Sequence, residues 1–106
     1  MIDSNKINEV VSRIVSGFNP ERIILFGSFA SGSYNNNSDL DLLIIQESDL
    51  PMHKRGKYIR LSLIGSRIPI DILVYTSSEF NLGKDKKYSF LYSALKNAKV
   101  VYERAI

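Results

Sequence analysis

The chain has 106 residues with 44% apolar and 24% charged side chains, from which we expect one globular domain and no second. Its net charge of +3 favours anionic ligands, but the charge is too dispersed to require a nucleic acid. Without cysteine there are no disulfides or thiolate metal sites, and without a signal peptide or a long apolar run we expect a cytoplasmic protein with no membrane partner.

The first quarter of the chain predicts a helix followed by a buried strand. Residues 3–17 place apolar side chains at helical spacing along one stripe. Asp3 or Ser4 can cap the start of this helix, and Gly17 can end it. Residues 22–26 then form a β-branched apolar run bounded by turn residues, which is typical of a short buried strand.

A glycine–serine pair separates this strand from the next. Gly27 and Ser28 follow the first strand directly, and residues 29–32 fit one helical turn. After an Asn-rich loop, residues 39–45 predict a second strand that is apolar on both faces apart from two aspartates at its start. Such a pattern suits an inner strand of a sheet that is covered on both sides.

The C-terminal half predicts three more helices and two more strands. In order, these are a helix over about 52–66 with Pro51 as a favourable first residue, a strand over 70–74, a short helix capped by Ser77, a helix over 88–97 and an edge strand over 100–102. The whole pattern predicts an α/β (α+β) fold, with a small mixed β-sheet flanked by helices, in a single domain over residues 1–106.

Two short motifs after the first strand indicate phosphate chemistry. Gly27 lets the backbone approach a ligand closely, and the amides of the following turn, with the Ser28 hydroxyl, can donate to phosphate oxygens. Ten residues later, Asp39 and Asp41 project to the same side of a strand, roughly 6.6 Å apart along the chain. That spacing suits a pair of Mg²⁺ ions ~3.5–4 Å apart, which take carboxylate oxygens and substrate phosphates as ligands.

Asp71 is the third carboxylate of interest, because it stands alone inside an apolar strand. A charge there is costly unless it is paired or coordinates a metal, and exposure at a sheet edge is the main alternative. If this strand lies beside residues 39–45, Asp71 completes a cluster of three carboxylates. Such a cluster repels itself strongly without a cation.

These motifs together resemble the DNA polymerase beta nucleotidyltransferase superfamily. The resemblance is closest to the minimal nucleotidyltransferases (MNT) that act as antitoxins beside a helical HEPN toxin. It rests on a Gly-Ser pair after the first strand, an Asp-x-Asp about ten residues later, a third Asp on a later strand and a similar C-terminal end. In this chain these are Phe26-Gly27-Ser28, Ser38-Asp39-Leu40-Asp41, Ile70-Asp71-Ile72, and Phe90–Leu95 followed by Val100–Tyr102.

The resemblance implies a reaction and a role for each motif. It makes Asp39, Asp41 and Asp71 the catalytic residues and the ligands of two Mg²⁺ ions, with Gly27 and Ser28 binding the β and γ phosphates of a nucleoside triphosphate. An acceptor hydroxyl then attacks the α-phosphate in line, and pyrophosphate leaves. The expected reaction is AMP transfer from ATP to a tyrosine of a partner HEPN toxin, with which the chain forms a hetero-oligomer as its antitoxin.

One position departs from the family pattern. Many relatives carry arginine before the second glycine of the loop, where this chain has Ser31. If that arginine contacts the triphosphate, its loss is expected to weaken binding unless another cation substitutes. The candidates along the sequence are Arg22, Lys54, Arg55 and Arg60.

Two other functions stay open from the sequence. One is an antitoxin that neutralises its partner by binding alone, against which a buried Asp71 would argue. The other is a nucleotidyltransferase subunit that acts on a small molecule or a nucleic acid. A calcium loop near Asn35 lacks the required glycine and spaced acidic ligands, and a serine hydrolase is poorly supported because His53, the single histidine, lies in a basic run.

Overall fold

The computed structural model describes residues 2–105 and shows a four-stranded mixed sheet flanked by helices, which confirms the predicted fold. The sheet order is β3-β2-β1-β4, with β2 parallel to β3 and with β1 antiparallel to both β2 and β4. The elements, in chain order, are α1 (Ser4–Phe18), β1 (Arg22–Phe26), α2 (Ser28–Ser31), β2 (Leu40–Ile45), α3 (Met52–Arg55), α4 (Lys57–Ser62), β3 (Ile70–Tyr75), α5 (Ser77–Gly83), α6 (Phe90–Leu95) and β4 (Lys99–Glu103).

The sheet separates two hydrophobic clusters because side chains alternate along each strand. On one face, Leu40, Leu42 and Ile44 of β2 pack in the cluster that contains the buried residues of α1 and α4. On the other face, Leu43 and Ile45 pack in the cluster that contains Phe80 of α5 and Leu91 of α6. The strand β2 is therefore buried on both sides, as its apolar sequence predicts.

Two helix ends differ from the prediction by one or two residues. Asp3 caps α1 by accepting a hydrogen bond from the Lys6 amide, but the helix runs past Gly17 to Phe18. Asn19 ends it in the left-handed conformation, which asparagine tolerates better than most residues. Thr76 caps α5 in place of Ser77, because its hydroxyl and the Glu79 carboxylate form a reciprocal capping box.

The single helix predicted over 52–66 is wrong, since two short helices meet at the buried Gly56. A Cβ at this glycine would collide with the Arg60 guanidinium, which packs across it. From there Arg60 donates to the Ile72 carbonyl at 3.0 Å, and Arg55 donates to the Val74 carbonyl at 3.3 Å. Both carbonyls belong to the edge strand β3, so the arginines satisfy acceptors that no further strand reaches.

The C-terminal elements are present with shifted bounds. The helix predicted over 88–97 is limited to α6, where Ser89 caps the first turn by accepting from the Tyr92 amide. The final strand β4 pairs with β1 and forms the second edge of the sheet, as expected. Within residues 2–105 no helix has both the length and the apolar character needed to cross a membrane.

Candidate active site

Asp41 and Asp71 lie side by side at one end of the sheet. They are direct register partners in the parallel pair of β2 and β3, whose neighbouring backbones are about 4.8 Å apart. Asp39 lies just before the first residue of β2 and, two residues from Asp41, on the same face as Asp41. The adjacency of the two strands, on which the three-carboxylate hypothesis depends, is therefore present in the structure.

The exposure of the three carboxylates differs from the sequence-based expectation. Asp71 is exposed, because β3 is an edge strand, so the expectation of a buried Asp71 is wrong. Asp41 is partly buried, and Asp39 is exposed. The burial of Asp71 therefore cannot be used as an argument against a binding-only antitoxin. Among the three carboxylates, Asp41 is the one that is partly buried.

The environment of Asp41 disfavours its negative charge. Burial is the largest cause that raises the pKa of Asp41 above its ordinary value, followed by repulsion from Asp71 and then from Asp39. Each of these effects makes the ionised carboxylate less stable than in water. A cation placed among the three side chains would relieve this repulsion.

Gly27 connects the phosphate-binding motif to the carboxylates. Its backbone has φ 72° and ψ −154°, a conformation that residues with a Cβ rarely adopt. A Cβ at this position would also collide with Oδ2 of Asp41. Both the backbone conformation and the lack of space for a Cβ therefore require glycine at this position. The glycine allows the Asp41 carboxylate to lie directly against the loop.

The loop continues into the four-residue helix α2. The Gly27 carbonyl accepts hydrogen bonds from the amides of Ala30 and Ser31, each at 3.1 Å, and Phe29 with Ala30 is buried beneath the turn. The amides of Ser28 and Phe29 begin the helix, so they have no carbonyl partner in the preceding turn. These two donors are available to an anion next to Asp41.

A cleft of about 480 Å³ lies beside this loop. One wall consists of loop residues that include Gly27, Ser28, Ser31 and Ser33, with Phe26 beneath them. The opposite wall comes from α6 and the turn that follows it: Phe90, Ser93, Ala94, Lys96 and Asn97. This second wall cannot be predicted from local sequence, because its place opposite the loop depends on how β4 pairs with β1.

The four cations considered as replacements for the missing arginine lie elsewhere. Arg22 is at the far end of β1 from Gly27, where it approaches Glu103 at 3.8 Å. Arg55 and Arg60 are engaged with the edge carbonyls of β3. Lys54 precedes Arg55 on α3, beside the carboxyl end of β3, whereas Asp71 is near its amino end.

The residues at this site fit a magnesium ion by their chemistry, without forming a closed cage. In the described part of the chain no three His, Cys, Asp or Glu side chains are grouped so as to hold a metal ion by themselves. Mg²⁺ does not need such a group, since it commonly binds one or two carboxylates together with water and substrate phosphates. Asp41 and Asp71, in register and mutually repelling, are suitable ligands of that kind.

Comparison with known proteins gives consistent matches. Residues 4–102 match the family described as nucleotidyltransferase domain. Two proteins of Methanocaldococcus jannaschii, each named "putative protein adenylyltransferase", are similar to the chain. One is 31% identical over 96% of this chain and 100% of its own length, and the other is 37% identical over 51% of this chain and 54% of its own length.

Two solved structures share the fold. One is described as a "putative nucleotidyltransferase from Sulfolobus solfataricus", with a TM-score of 0.65 and 21% identity over 94% of this chain and 79% of that chain. The other is described as a toxin-antitoxin with AMP-PNP, with a TM-score of 0.58 and 18% identity over 97% of this chain and 75% of that chain. At these identities the similarity concerns the fold.

Proposed function

The chain belongs to the nucleotidyltransferase domain family and is a nucleotidyltransferase, and we propose that it transfers AMP from ATP to a hydroxyl of a partner protein. In this proposal the chain acts in the cytoplasm as a single minimal domain, and it is the antitoxin of a HEPN-type toxin whose tyrosine is the acceptor. The observation that carries the proposal is the pairing of Asp41 with Asp71 against the Gly27 loop.

The proposed roles follow from the positions of the side chains. Asp39, Asp41 and Asp71 would hold one or two Mg²⁺ ions, which when bound offset the negative charge of the reacting phosphates. Gly27 and Ser28 would bind the β and γ phosphates through their backbone and hydroxyl donors. This arrangement leaves the α-phosphate beside the carboxylates, where the transfer takes place.

The exposure of Asp71 suits a large acceptor. In the proposed step the acceptor oxygen attacks the α-phosphorus, and the bond from that phosphorus to the bridging oxygen of pyrophosphate breaks. Asp71 takes the proton from the acceptor hydroxyl. Because Asp71 lies at an open sheet edge, a side chain presented on the surface of another protein can approach it without a dedicated acceptor pocket.

The choice of a protein acceptor has support from the relatives. A relative named "putative protein adenylyltransferase" aligns over its whole length with 96% of this chain. The structural neighbour described as a toxin-antitoxin with AMP-PNP supports both a toxin partner and an adenine nucleotide. These similarities favour the proposal over a small-molecule acceptor.

The reaction can be tested by mass spectrometry of a HEPN-type partner toxin encoded beside this chain. The partner is incubated with the protein, Mg²⁺ and each nucleoside triphosphate in turn. We expect a mass gain of one or more AMP units with ATP, located on tyrosine by peptide mapping. The gain should be absent with Asp39→Ala and should persist with Asp49→Ala, a matched change in an exposed loop outside the site.

The other outcomes separate the alternatives. A stable complex with no mass gain would reject the transferase proposal and support an antitoxin that acts by binding. Transfer to an RNA or a small molecule, with an unmodified partner, would retain the nucleotidyltransferase reaction and reject the protein acceptor.

A further inference from the structure

The phosphate-binding loop has no cation of its own. Residues 27–33 consist of glycine, serine, phenylalanine and alanine only. Hydrogen bonds from amides and hydroxyls can orient a triphosphate, but they do not neutralise its charge, and the nearby Asp39, Asp41 and Asp71 add to the repulsion. The Mg²⁺ proposed at the carboxylates offsets part of this charge, and a positive side chain on the loop side of the site would complement the terminal phosphates.

The opposite wall of the 480 Å³ cleft offers such a side chain. Phe90, Ser93 and Lys96 are spaced three residues apart on α6 and its end, so they line one stripe that faces the loop. Among the described residues that line the cleft, Lys96 is the cationic one. It is exposed, and within residues 2–105 no carboxylate lies within ion-pair distance of its ammonium group.

The backbone fixes Lys96 at this place. The helix α6 ends at Leu95, Lys96 is extended, and Asn97 takes a positive φ of 60°, which turns the chain into β4. Lys99 then pairs with Leu25 of β1, so the turn is held next to Phe26 and Gly27. The ammonium group of Lys96 lies 5.2 Å from the ring centroid of Tyr92, which does not line the cleft. This cation–π contact leaves the charge without a carboxylate partner, and the flexible side chain has to leave the ring to reach a bound phosphate.

We propose that Lys96, from the wall opposite the Gly27 loop, binds the β and γ phosphates in place of the arginine that the loop lacks. The end of the sheet then carries a graded charge, with carboxylates on β3 and β2 and a lysine beside β1 and β4. A triphosphate would lie across it with the α-phosphate towards Asp41 and the terminal phosphate towards Lys96. This inference rests on the proposed nucleotidyltransferase function and adds a substrate-binding residue to it.

The experiment is a calorimetric titration of the protein with Mg·ATP, inorganic tripolyphosphate and AMP. For Lys96→Ala we expect the Kd for ATP and for tripolyphosphate to rise about ten- to hundredfold, as for loss of a charge-assisted hydrogen bond, with an unchanged Kd for AMP. Lys96→Arg should restore most of the affinity. The matched control is Lys99→Ala, an exposed lysine that pairs with Leu25 and does not line the cleft.

The outcomes are distinguishable. If the unchanged protein binds ATP while Lys96→Ala binds ATP and tripolyphosphate equally well, the assignment of Lys96 is overturned and the proposed function stands. If Lys96→Ala weakens AMP and ATP to the same degree, the residue does not act on the terminal phosphates and the assignment is again overturned. If the unchanged protein binds neither ATP nor tripolyphosphate, both the subsite and the proposed function fail.

Discussion

Two groups of charged residues lie at opposite ends of β3 and are organised in opposite ways. At the carboxyl end, Arg55 forms a bidentate salt bridge with Glu79, with Nη1–Oε1 and Nη2–Oε2 distances of 2.5 and 3.0 Å. At the amino end, Asp71 lies beside Asp41, and both carry the same charge. Hydrogen bonds from Arg55, and then from the Thr76 backbone, lower the pKa of Glu79 to about 2, whereas burial and like charges raise the pKa of Asp41.

This difference distinguishes residues that stabilise the fold from residues whose charges are suited to binding a ligand. Glu79 also accepts from the Thr76 amide at 2.8 Å, so the charged groups at that end are paired within the chain. The carboxylates at the other end destabilise the structure while no cation is bound. Repulsive groups placed side by side at a loop that requires glycine are characteristic of a binding site rather than of a structural one.

The largest effect that distinguishes the two ends should be on catalysis. We expect Asp41→Ala to lower the rate of nucleotide transfer by at least ~10³-fold, because phosphoryl transfer depends on positioned charge and the loss of one such group costs ~10³–10⁵ in rate. The measurement is the initial rate of AMP incorporation at saturating ATP.

Glu79→Gln is the control for this comparison, since it alters the opposite end of the same strand. Its transfer rate should stay within about twofold of the unchanged protein at a temperature at which both are folded. Full activity of Asp41→Ala would remove the metal-ligand role of that residue, and a large loss in Glu79→Gln would mean that the two ends are not independent.

Gly27→Ala should have the next largest effect, on both stability and transfer. The new methyl group would meet the Asp41 carboxylate in a backbone conformation that alanine rarely adopts. We expect a loss of ~1–3 kcal/mol in the free energy of unfolding, measured by urea denaturation, together with loss of transfer.

Gly17→Ala supplies the matched substitution. Gly17 lies within α1, and a Cβ there meets nothing within 4 Å. Alanine should therefore stabilise the protein by ~0.5–1 kcal/mol through helix propensity. If both glycine substitutions had the same effect, the special geometry of the loop would be refuted.

The contrast also shows which parts of the molecule could be predicted from sequence. Apart from the break between α3 and α4, the order of elements, the inner position of β2 and the edge position of β4 follow from local periodicity, which depends on a few consecutive residues. The adjacency of Asp41 and Asp71 could be stated only as a condition, because strand pairing is non-local. The expectation that Asp71 is buried is wrong for the same reason, since the sequence of an apolar strand does not show whether that strand lies at the edge of the sheet.

The roles of the basic residues were the least predictable. From the sequence, Arg55 and Arg60 are candidate phosphate-binding residues, yet in the structure they donate hydrogen bonds to carbonyls of β3. Their positions depend on the interruption between α3 and α4 at Gly56, which helical periodicity does not reveal. Lys96 has no sequence signal of its own. Its place opposite the loop results from the turn into β4 and from the register of β4 against β1.

The ion pair at the carboxyl end predicts an acid-dependent stability. The pKa of Glu79 is about 2 in the folded protein and 4.5 as its ordinary value, so its stabilising contribution is present above pH 4.5 and is lost as the pH falls towards 2. We expect Glu79→Gln to cost ~1 kcal/mol at pH 7, the upper range for partly exposed pairs.

Urea denaturation at pH 6, 4 and 2.5 tests this interpretation. The difference in free energy of unfolding between the two proteins should shrink across that range. Glutamine keeps an oxygen that can accept from the Thr76 amide, so the comparison isolates the charge from the capping box. A difference that does not change with pH would show that the charge contributes nothing.

The smallest effect should come from Asp71→Asn, and it should have the opposite sign to that of Glu79→Gln. Repulsion by Asp71 is part of what raises the pKa of Asp41, so removing that charge makes ionised Asp41 less unfavourable. We expect a gain in unfolding free energy at pH 7 of no more than ~0.5 kcal/mol, in the range of surface substitutions. The same change should lower transfer, because it removes a proposed metal ligand and proton acceptor.

The pH dependence of stability distinguishes relief of this repulsion from other effects of Asp71→Asn. Asp41 has a raised folded pKa, so its ionisation destabilises the fold, fully above that pKa and not at all well below its ordinary value of 3.8. The gain from Asp71→Asn should therefore be present at pH 7 and absent at pH 3, while Asp49→Asn, in an exposed loop, shows no such gain at pH 7. A loss of stability in Asp71→Asn at pH 7 would instead make Asp71 a structural residue, and the two ends of β3 would then no longer differ in kind.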